Sequence, residues 1–210
     1  MKQAHIPRAT IQRLAVYLRE LENLHRDGQE VVSSGPLAGA CEVNASQLRK
    51  DLTYFGEFGV RGVGYRVSGL IDSLARVLGI DRQWNCVLVG VGNLGKALLS
   101  HREFAERRFC VVAIFDSDPF RIGQTVSGLE VMDSNRIKEF VSSLDTRIGI
   151  ISSPPERAQR AANCLVEAGI KGILNYSPAR IAVPGDVIVE YLDVLHHFYS
   201  VAFRLSKRNR

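Results

Sequence analysis

The sequence contains no apolar run that approaches the roughly 20 residues required by a membrane-spanning helix. Its opening segment, MKQAHIPRATIQRLAVYLREL, places charged residues among the apolar ones, unlike a signal peptide. Cysteine is scarce: the four cysteines are far apart, and no C-x-x-C pair or neighbouring histidine suggests a zinc site or a redox dithiol. These absences predict a cytoplasmic protein with reduced thiols, no membrane partner and no metal.

The composition is otherwise that of an ordinary globular protein, with 46% hydrophobic and 23% charged residues in a chain of 210. This length allows one large domain or two small ones. The formal net charge of +5 comes from the N-terminal third and from the last five residues, SKRNR. A surface that binds a polyanion is therefore expected in the N-terminal part or at the tail.

The N-terminal third has the periodicity of three helices. In TIQRLAVYLRELENL, apolar residues recur at spacings of three and four from Ile11 through Leu14 and Leu18 to Leu21, which predicts an amphipathic helix. A short second helix capped by Ser34 is expected next. NASQLRKDLTYFGEFG then opens a third helix, whose first residues have the spacing of a capping box. The N-terminal half of such a helix enters a DNA major groove.

The next segment, FGEFGVRGVGYRV, has too many glycines for a helix, but its alternating apolar residues are typical of a two-stranded hairpin. Arg61 lies at or near the tip. A basic hairpin beside a recognition helix is typical of a winged helix, whose arginine can enter a minor groove. A closing helix capped by Ser68 completes this predicted domain. The candidate DNA-binding residues are Ser46, Gln47, Arg49, Lys50, Arg61 and Tyr65.

A glycine-rich segment opens the second part of the chain. The apolar run CVLV is typical of a strand buried in a parallel sheet, and G-x-G-x-x-G follows it before a helical segment. The next apolar run, CVVAIFD, ends in Asp116, where an acid accepts hydrogen bonds from ribose hydroxyls and repels a 2′-phosphate. The spacing predicts a site for NAD(H) rather than NADP(H). The residues expected around the pyrophosphate are Gly90, Val91, Gly92, Asn93, Leu94 and Gly95.

Strands and helices alternate from there, through GLEVM, NRIKEFV, IGIIS, PERAQRAANCLVEAG and GILNY, which predicts a doubly wound parallel sheet. Ser152, Ser153 and Pro154 follow the fourth strand, and Asn175 and Tyr176 follow the fifth. Because such sheets bind ligands at the carboxyl ends of their strands, these five residues are further candidates for cofactor binding. An ordinary role in turns is equally compatible with them.

Catalytic machinery is sparse. A dehydrogenase needs space for a substrate and a proton donor, whereas the predicted sheet uses residues 85–210. No tyrosine is followed by a lysine four positions later, and among the histidines only His101 could approach the cofactor. A nucleotide-binding domain without catalytic groups, joined to a DNA reader, indicates a sensor rather than an enzyme.

Two alternatives stay open at this point. One is a small NAD-dependent oxidoreductase whose N-terminal helices serve only dimerisation. The other is a DNA-binding regulator that recognises another adenine-containing ligand, such as coenzyme A, through the same glycine turn.

Five segments carry a resemblance to a known family: VSSGPLAGACEVNASQLRKDLTYFGEFGVRGVGYRV, VGVGNLGKAL, IFDSDP, AGIKGILNYSP and VEYLDVLHHFYSVAFRL. Across nearly the whole chain, the sequence resembles the Rex family of redox-sensing transcriptional repressors. The resemblance implies a homodimer that binds an inverted-repeat operator when NADH is scarce and leaves the DNA when NADH binds. NADH and NAD⁺ would then be effectors and not redox reactants. The resemblance also implies that the terminal helix, about residues 192–206, is exchanged between subunits.

The resemblance further implies a switch. Arg19 on the first helix and Asp193 before the last match a pair whose contact depends on the liganded state. At two positions the chain departs from the family pattern. His101 stands where a family member has a tyrosine near the nicotinamide, and Val194 stands where one inserts a phenylalanine from the partner subunit.

The predicted fold is therefore α/β. An N-terminal winged-helix DNA-binding domain (residues 1–84) precedes a Rossmann-like doubly wound parallel sheet that binds NAD(H) (residues 85–190). A C-terminal domain-swapped helix with a basic tail (residues 191–210) completes the chain.

Overall fold

The structure is a computed structural model that describes residues 6–56, 58–60 and 62–208. The chain divides into two compact units, Met1–Arg82 and Gln83–Arg210. Each unit buries hydrophobic residues of its own. The four cysteines are free thiols, and burial raises the pKa of Cys86 to about 12.

The N-terminal unit is a winged helix. Its elements are α1 (Arg8–Arg26), β1 (Val31–Val32), α2 (Ser34–Ala40), α3 (Ala45–Thr53), β2 (Gly59–Val60), β3 (Gly64–Arg66) and α4 (Val67–Val77). The strands form an antiparallel sheet in the order β1-β3-β2, so β2 and β3 make the predicted hairpin directly after α3. β1, which sequence reasoning missed, pairs with the inner strand of this hairpin.

The core of this unit is formed by one side of α1 against the other helices. Leu14, Leu18 and Leu21 are buried as predicted, and Tyr17 joins them. The prediction for Ile11 is wrong, since its side chain is 46% exposed. The first turn of α1 instead buries Thr10, whose hydroxyl bonds to a carboxylate of α3.

The predicted helix caps are displaced by one or two residues. Ser34 is the first residue of α2, with Ser33 as its N-cap, and α4 begins before Ser68 with Arg66 as its N-cap. The reason is that β3 leads straight into α4, whose first residue, Val67, donates its backbone N–H to Glu30 O at 2.9 Å. The Asn44 cap is confirmed, because its side chain accepts from the backbone N–H of Gln47 at 2.7 Å.

The second unit is a doubly wound sheet. Its elements are β4 (Trp84–Val89), α5 (Asn93–Leu99), α6 (Arg102–Glu106), β5 (Phe109–Asp116), β6 (Thr125–Val126), β7 (Leu129–Asp133), α7 (Ile137–Ser142), β8 (Thr146–Ile151), α8 (Pro155–Glu167), β9 (Gly172–Asn175), β10 (Ile188–Tyr191) and α9 (Val194–Arg208). The strand order is β10-β9-β8-β4-β5-β7-β6. The strand pairs are parallel except β6 with β7, which confirms the predicted fold.

Residues of the central strands and of α8 make up the larger core of this sheet, with Val87, Phe115, Ile151 and Leu165 fully buried. Leu94 and Ala97 of α5 are exposed, although the apolar pattern of this helix would place them against the sheet. α5 is only seven residues long and approaches the sheet through the buried Gly95.

The last helix, α9, is amphipathic and leaves its apolar side chains uncovered within this single chain. The exposed apolar residues are Val194, Leu195, Phe198, Tyr199, Val201, Phe203 and Leu205.

Across the described ranges, no helix is long and apolar enough to cross a membrane. Those same residues contain no cluster of three histidine, cysteine or acidic side chains that could hold a metal ion.

Candidate nucleotide pocket and nucleic-acid interface

A cavity of about 670 Å³ lies at the carboxyl ends of the central strands of the second unit. The chain runs from β4 outward to β5 and β7 on one side, and β8, β9 and β10 lie on the other. The crevice between β4 and β8 is therefore the topological switch point, where open α/β sheets bind their ligands. The predicted residues that line the cavity are Gly90, Gly92, Asn93, Leu94, Asp116, Ser153, Pro154 and Tyr176.

The glycine turn after β4 leaves no space for side chains at two of its three glycines. A Cβ on Gly90, whose φ is +102°, would lie 2.6 Å from the backbone nitrogen of Ser153. A Cβ on Gly95 would lie 2.2 Å from the carbonyl oxygen of Gly90. The middle glycine, Gly92, borders the cavity, so a ligand can approach its backbone closely. The turn therefore brings bare backbone to the start of α5, which is the arrangement that glycine-rich turns use where they bind phosphate groups.

Asp116 ends β5 at the cavity and is only 4% exposed. Its Oδ2 accepts from the backbone N–H of Val91 at 2.8 Å and from the Arg121 guanidinium at 3.1 Å. Its Oδ1 accepts from the backbone N–H of Asp118 at 2.9 Å. Burial alone would raise the pKa of Asp116, but these donors hold it below the ordinary aspartate value. The carboxylate is thus charged at neutral pH, and it also ties the glycine turn to β5.

The remaining predicted cofactor residues differ in what surrounds them. Val91 is 1% exposed and Gly95 is buried, so both shape the turn without lining the cavity. Asn175 is fully buried, and its amide donates to Ala179 O and accepts from the backbone N–H of Ser177. The Ser153 hydroxyl is buried at the cavity wall without a hydrogen-bond partner in the described chain.

Ser152, which was predicted together with Ser153, also lines the cavity. Sequence reasoning missed several other polar residues of the cavity wall, namely Ser117, Asp118, Arg121, Arg157 and Arg160. Arg157 donates to the Ser117 hydroxyl at 3.1 Å. Arg121 could have been found from the sequence, because it lies only five residues after Asp116, with which it pairs. Arg157 and Arg160 lie on α8, and only the folding of that helix against the sheet brings them to the cavity.

The outer side of α3 presents Ser46, Arg49 and Lys50, all exposed. Arg49 donates to the Ser34 hydroxyl at 2.9 Å. It also lines a groove of about 720 Å³ between α3 and the hairpin, together with Tyr65, which is 8% exposed. Arg61 lies outside the described residues.

A buried ionic cluster beneath this surface was not predicted from the sequence. Asp51 of α3 is 1% exposed and receives both Nε and Nη2 of Arg13, at 2.6 and 2.7 Å. Tyr17 donates its hydroxyl to Oδ2 at 2.8 Å, and Thr10 donates to Oδ1 at 3.2 Å. Gln47 adds its side-chain amide to Oδ1 at 2.9 Å. Burial would raise the pKa of Asp51, but these donors lower it.

The four predicted switch residues lie in different parts of the chain. Arg19 is exposed on α1, in the first unit. Asp193 precedes α9, where its Oδ1 accepts from the backbone N–H of Leu195 at 2.9 Å and its Oδ2 lies 3.6 Å from His196 Nε2. Val194 is 65% exposed at the start of α9. His101 is exposed after α5 and packs on Phe104, with ring centroids 5.2 Å apart.

Comparison with known proteins identifies the family to which the chain belongs. Residues 5–53 match the family described as "Putative DNA-binding protein N-terminus", and residues 81–179 match the "CoA binding domain" family. The "Redox-sensing transcriptional repressor Rex" of Maridesulfovibrio salexigens is 63% identical over 98% of this chain and 99% of its own. That of Solidesulfovibrio magneticus is 60% identical over 98% of this chain and 94% of its own. The chain belongs to the Rex family.

Solved Rex structures share the fold over almost the entire length. The "Crystal structure of RSP in complex with beta-NAD+ and operator DNA" matches with a TM-score of 0.93 and 37% identity, covering 98% of this chain and 95% of RSP. The "Crystal structure of RSP in complex with beta-NADH" matches with a TM-score of 0.89 and 35% identity, covering 98% and 97%. Members of the Rex family with these names are transcriptional repressors, so this chain is a repressor and not an oxidoreductase.

Proposed function

We propose that this Rex-family chain is a repressor that binds operator DNA through its winged helix and is released when NADH enters the cavity of its second unit. The observation that carries the proposal is a glycine turn closed to side chains, with the buried carboxylate of Asp116 at the next strand end, in a chain whose other unit is a winged helix. The RSP structures with NAD⁺, operator DNA and NADH support it. Because DNA and NADH are cytoplasmic ligands, we infer that the protein works in the cytoplasm.

The residues around the cavity fit a dinucleotide. The turn from Gly90 to Gly95 would hold the pyrophosphate, because side chains are excluded where its backbone approaches β8. Asp116 would accept from the adenosine ribose. Ser153, Pro154 and Tyr176 line the cavity after strands on the other side of the switch point, so we assign them to the nicotinamide half. The unpartnered Ser153 hydroxyl favours this assignment, since buried polar groups normally have a partner. The buried Asn175 would instead hold the turn after β9 through its bonds to Ser177 and Ala179.

The winged helix would contact DNA through the exposed side of α3 and through the hairpin. We assign base contacts to Ser46 and Gln47, phosphate contacts to Arg49 and Lys50, and a minor-groove contact to Arg61. Tyr65 lines the groove between these two elements and would support the hairpin there. Phosphate contacts supply affinity and base contacts supply specificity. Mutation of Arg49 or Lys50 should therefore weaken binding to every DNA sequence, whereas mutation of Ser46 or Gln47 should change which sequence is preferred.

The uncovered side of α9 supports a homodimer with an exchanged terminal helix. An isolated helix of 15 residues is marginal in water, and apolar packing normally stabilises it. We propose that α9 packs on the partner subunit, with Val194 near the partner's cofactor and Arg19 pairing with Asp193 in one of the two states. A neutral, reduced nicotinamide favours an apolar pocket more than the charged oxidised ring does. His101 stays a candidate for a residue that distinguishes NADH from NAD⁺.

The functional division of the chain that we propose is residues 1–84 for DNA, 85–190 for NAD(H) and 191–210 for exchange between subunits. An operator mobility shift titrated separately with NADH, NAD⁺ and coenzyme A tests this function. We expect NADH to release the operator at lower concentration than NAD⁺, with coenzyme A inactive. Equal potency of the three ligands would favour a general sensor of adenine nucleotides. Retention of the operator at saturating NADH would overturn the proposal.

A further inference from the structure

The buried Asp51 cluster joins α1 to the helix that we assign to the major groove. Five donor contacts converge on one carboxylate: two from Arg13 and one each from Thr10, Tyr17 and Gln47. Four of these come from α1, and Gln47 belongs to α3 itself. A surface helix does not need a buried ion pair for stability, and such pairs are weak stabilisers once desolvation is counted. These contacts therefore point to a role in the geometry of α3.

The orientation of the Gln47 amide follows from its partner. A carboxylate only accepts hydrogen bonds, so the amide nitrogen of Gln47 must face Asp51 and the amide oxygen must face away. One N–H is used by Asp51, at 2.9 Å. The second N–H and Oε1 have no partner within the ranges that the structure describes. A fixed donor and acceptor thus lie side by side on a half-buried side chain.

This amide lies in the first turn of α3. Asn44 caps the helix and binds the backbone of Gln47, so the same residue is held by its main chain and by its side chain. Ser46 and Lys50, both exposed, flank it on the outer surface. The first turn of a recognition helix is the part that reaches base edges. In the major groove, an amide donor–acceptor pair matches the N7 acceptor and N6 amino group of adenine.

We infer that Asp51 is a positioning residue that presents the Gln47 amide to one adenine in each half of the operator, with Arg13 holding Asp51 in place. This inference rests on the proposed DNA-binding function and adds a specific base contact to it. Gln47 touches the base, whereas Asp51 acts through Gln47. The chain would then discriminate against other bases at a single position of the half-site by about 5- to 150-fold, the usual range for a bidentate contact.

The test uses the full-length protein and a pool of randomised DNA duplexes, from which the wild type selects its own consensus. Affinities are then measured by fluorescence anisotropy for a panel in which each base pair of that consensus is replaced in turn. Gln47→Ala should lose its preference at one A·T pair per half-site and keep its preferences elsewhere. Asp51→Asn should lose preference at the same pair, and the double variant should match Gln47→Ala alone.

Tyr17→Phe is the matched control. It removes a donor to the other carboxylate oxygen, Oδ2, and leaves the Gln47 contact with Oδ1 intact. We expect Tyr17→Phe to lower the melting temperature and to retain every base preference. Should Asp51→Asn fail to fold, Arg13→Lys tests the same positioning without changing Gln47, because a lysine ammonium cannot reproduce the two guanidinium contacts with Asp51. A weakened adenine preference in Arg13→Lys, at the same base pair as in Gln47→Ala, is the expected result, and an unchanged preference would overturn the role of the cluster.

The outcomes separate this inference from the function on which it rests. If the wild type selects no consensus, the DNA-binding proposal itself fails. If the wild type selects an operator and Gln47→Ala weakens binding evenly across the panel, only the base contact is overturned. If Gln47→Ala changes one position and Asp51→Asn changes none, Gln47 reads the base without help from Asp51.

Discussion

Replacing Gly95 by alanine should remove the response to NADH and leave the DNA-binding unit unchanged. The added Cβ would lie 2.2 Å from the carbonyl oxygen of Gly90 and 3.1 Å from the Ser152 hydroxyl. Real Cβ contacts are essentially never shorter than 3.0 Å. The start of α5 must therefore move away from the end of β4 by about 1 Å, which is an overpacking change.

The size of the effect follows from that displacement. Overpacking a well-packed position costs about 1–3 kcal/mol. The ligand-free variant relaxes by moving α5 away from β4. NADH can place its pyrophosphate at the start of α5 only if the original turn is restored. The cost of restoring it therefore reduces the free energy of NADH binding. Since about 1.4 kcal/mol corresponds to a factor of ten, the Kd for NADH should rise about 5- to 150-fold.

NADH fluorescence titration gives the affinity of full-length wild type and variant, and anisotropy of a labelled operator gives DNA binding and its release by NADH. We expect Gly95→Ala to bind the operator normally and to release it only at correspondingly higher NADH. Gly172→Ala is the matched control, because its Cβ would meet nothing closer than 3.8 Å and lies outside the cavity. Wild-type NADH affinity in Gly95→Ala would refute the assignment of this turn to the cofactor.

Two further predictions concern the buried carboxylates. Asp116→Asn removes the charge that faces Arg121 at the adenosine side, so calorimetry should show NADH and ADP-ribose weakened by a similar factor of about 10 to 100, as for other charged hydrogen bonds. A loss confined to NADH would place Asp116 at the wrong end of the ligand. The second prediction is an acid dependence of stability: because the folded pKa of Asp51 is lowered, its contribution is complete above the ordinary aspartate pKa of about 3.9 and is lost as the pH falls from there through the lowered value. Thermal melts at decreasing pH should show this loss in the wild type and a flatter profile in Asp51→Asn; identical pH profiles would contradict it.

Local patterns were sufficient to predict the order of elements that matters most. The helices around α3, the hairpin after it and the strand-turn-helix at Gly90 all follow from spacings within about 20 residues. Helix boundaries were less accurate. Ser68 was expected to cap α4, yet that helix begins at Val67 directly from a strand, because strand pairing sets the position of the chain before any side-chain cap can.

The sites show the same division. Gly90, Gly92 and Asp116 were predicted from their spacing to lie together, and all three line the cavity. The role of Asp51 could not be predicted from the sequence. It depends on Arg13, which is 38 residues away and contacts Asp51 only because α1 packs on α3.

The sequence alone determined that this chain joins a winged helix to a Rossmann-like sheet. The spacing of apolar residues, the positions of the glycines and the acid at Asp116 are properties of short segments, so they can be read without the tertiary structure. The tertiary structure alone decided which side chains meet. It brought Arg157 of α8 to the serine after Asp116, and it placed four donors from α1 around the carboxylate that holds Gln47. The physical reason is that a hydrogen bond depends on distance in space, and elements far apart in the chain acquire that distance only by packing.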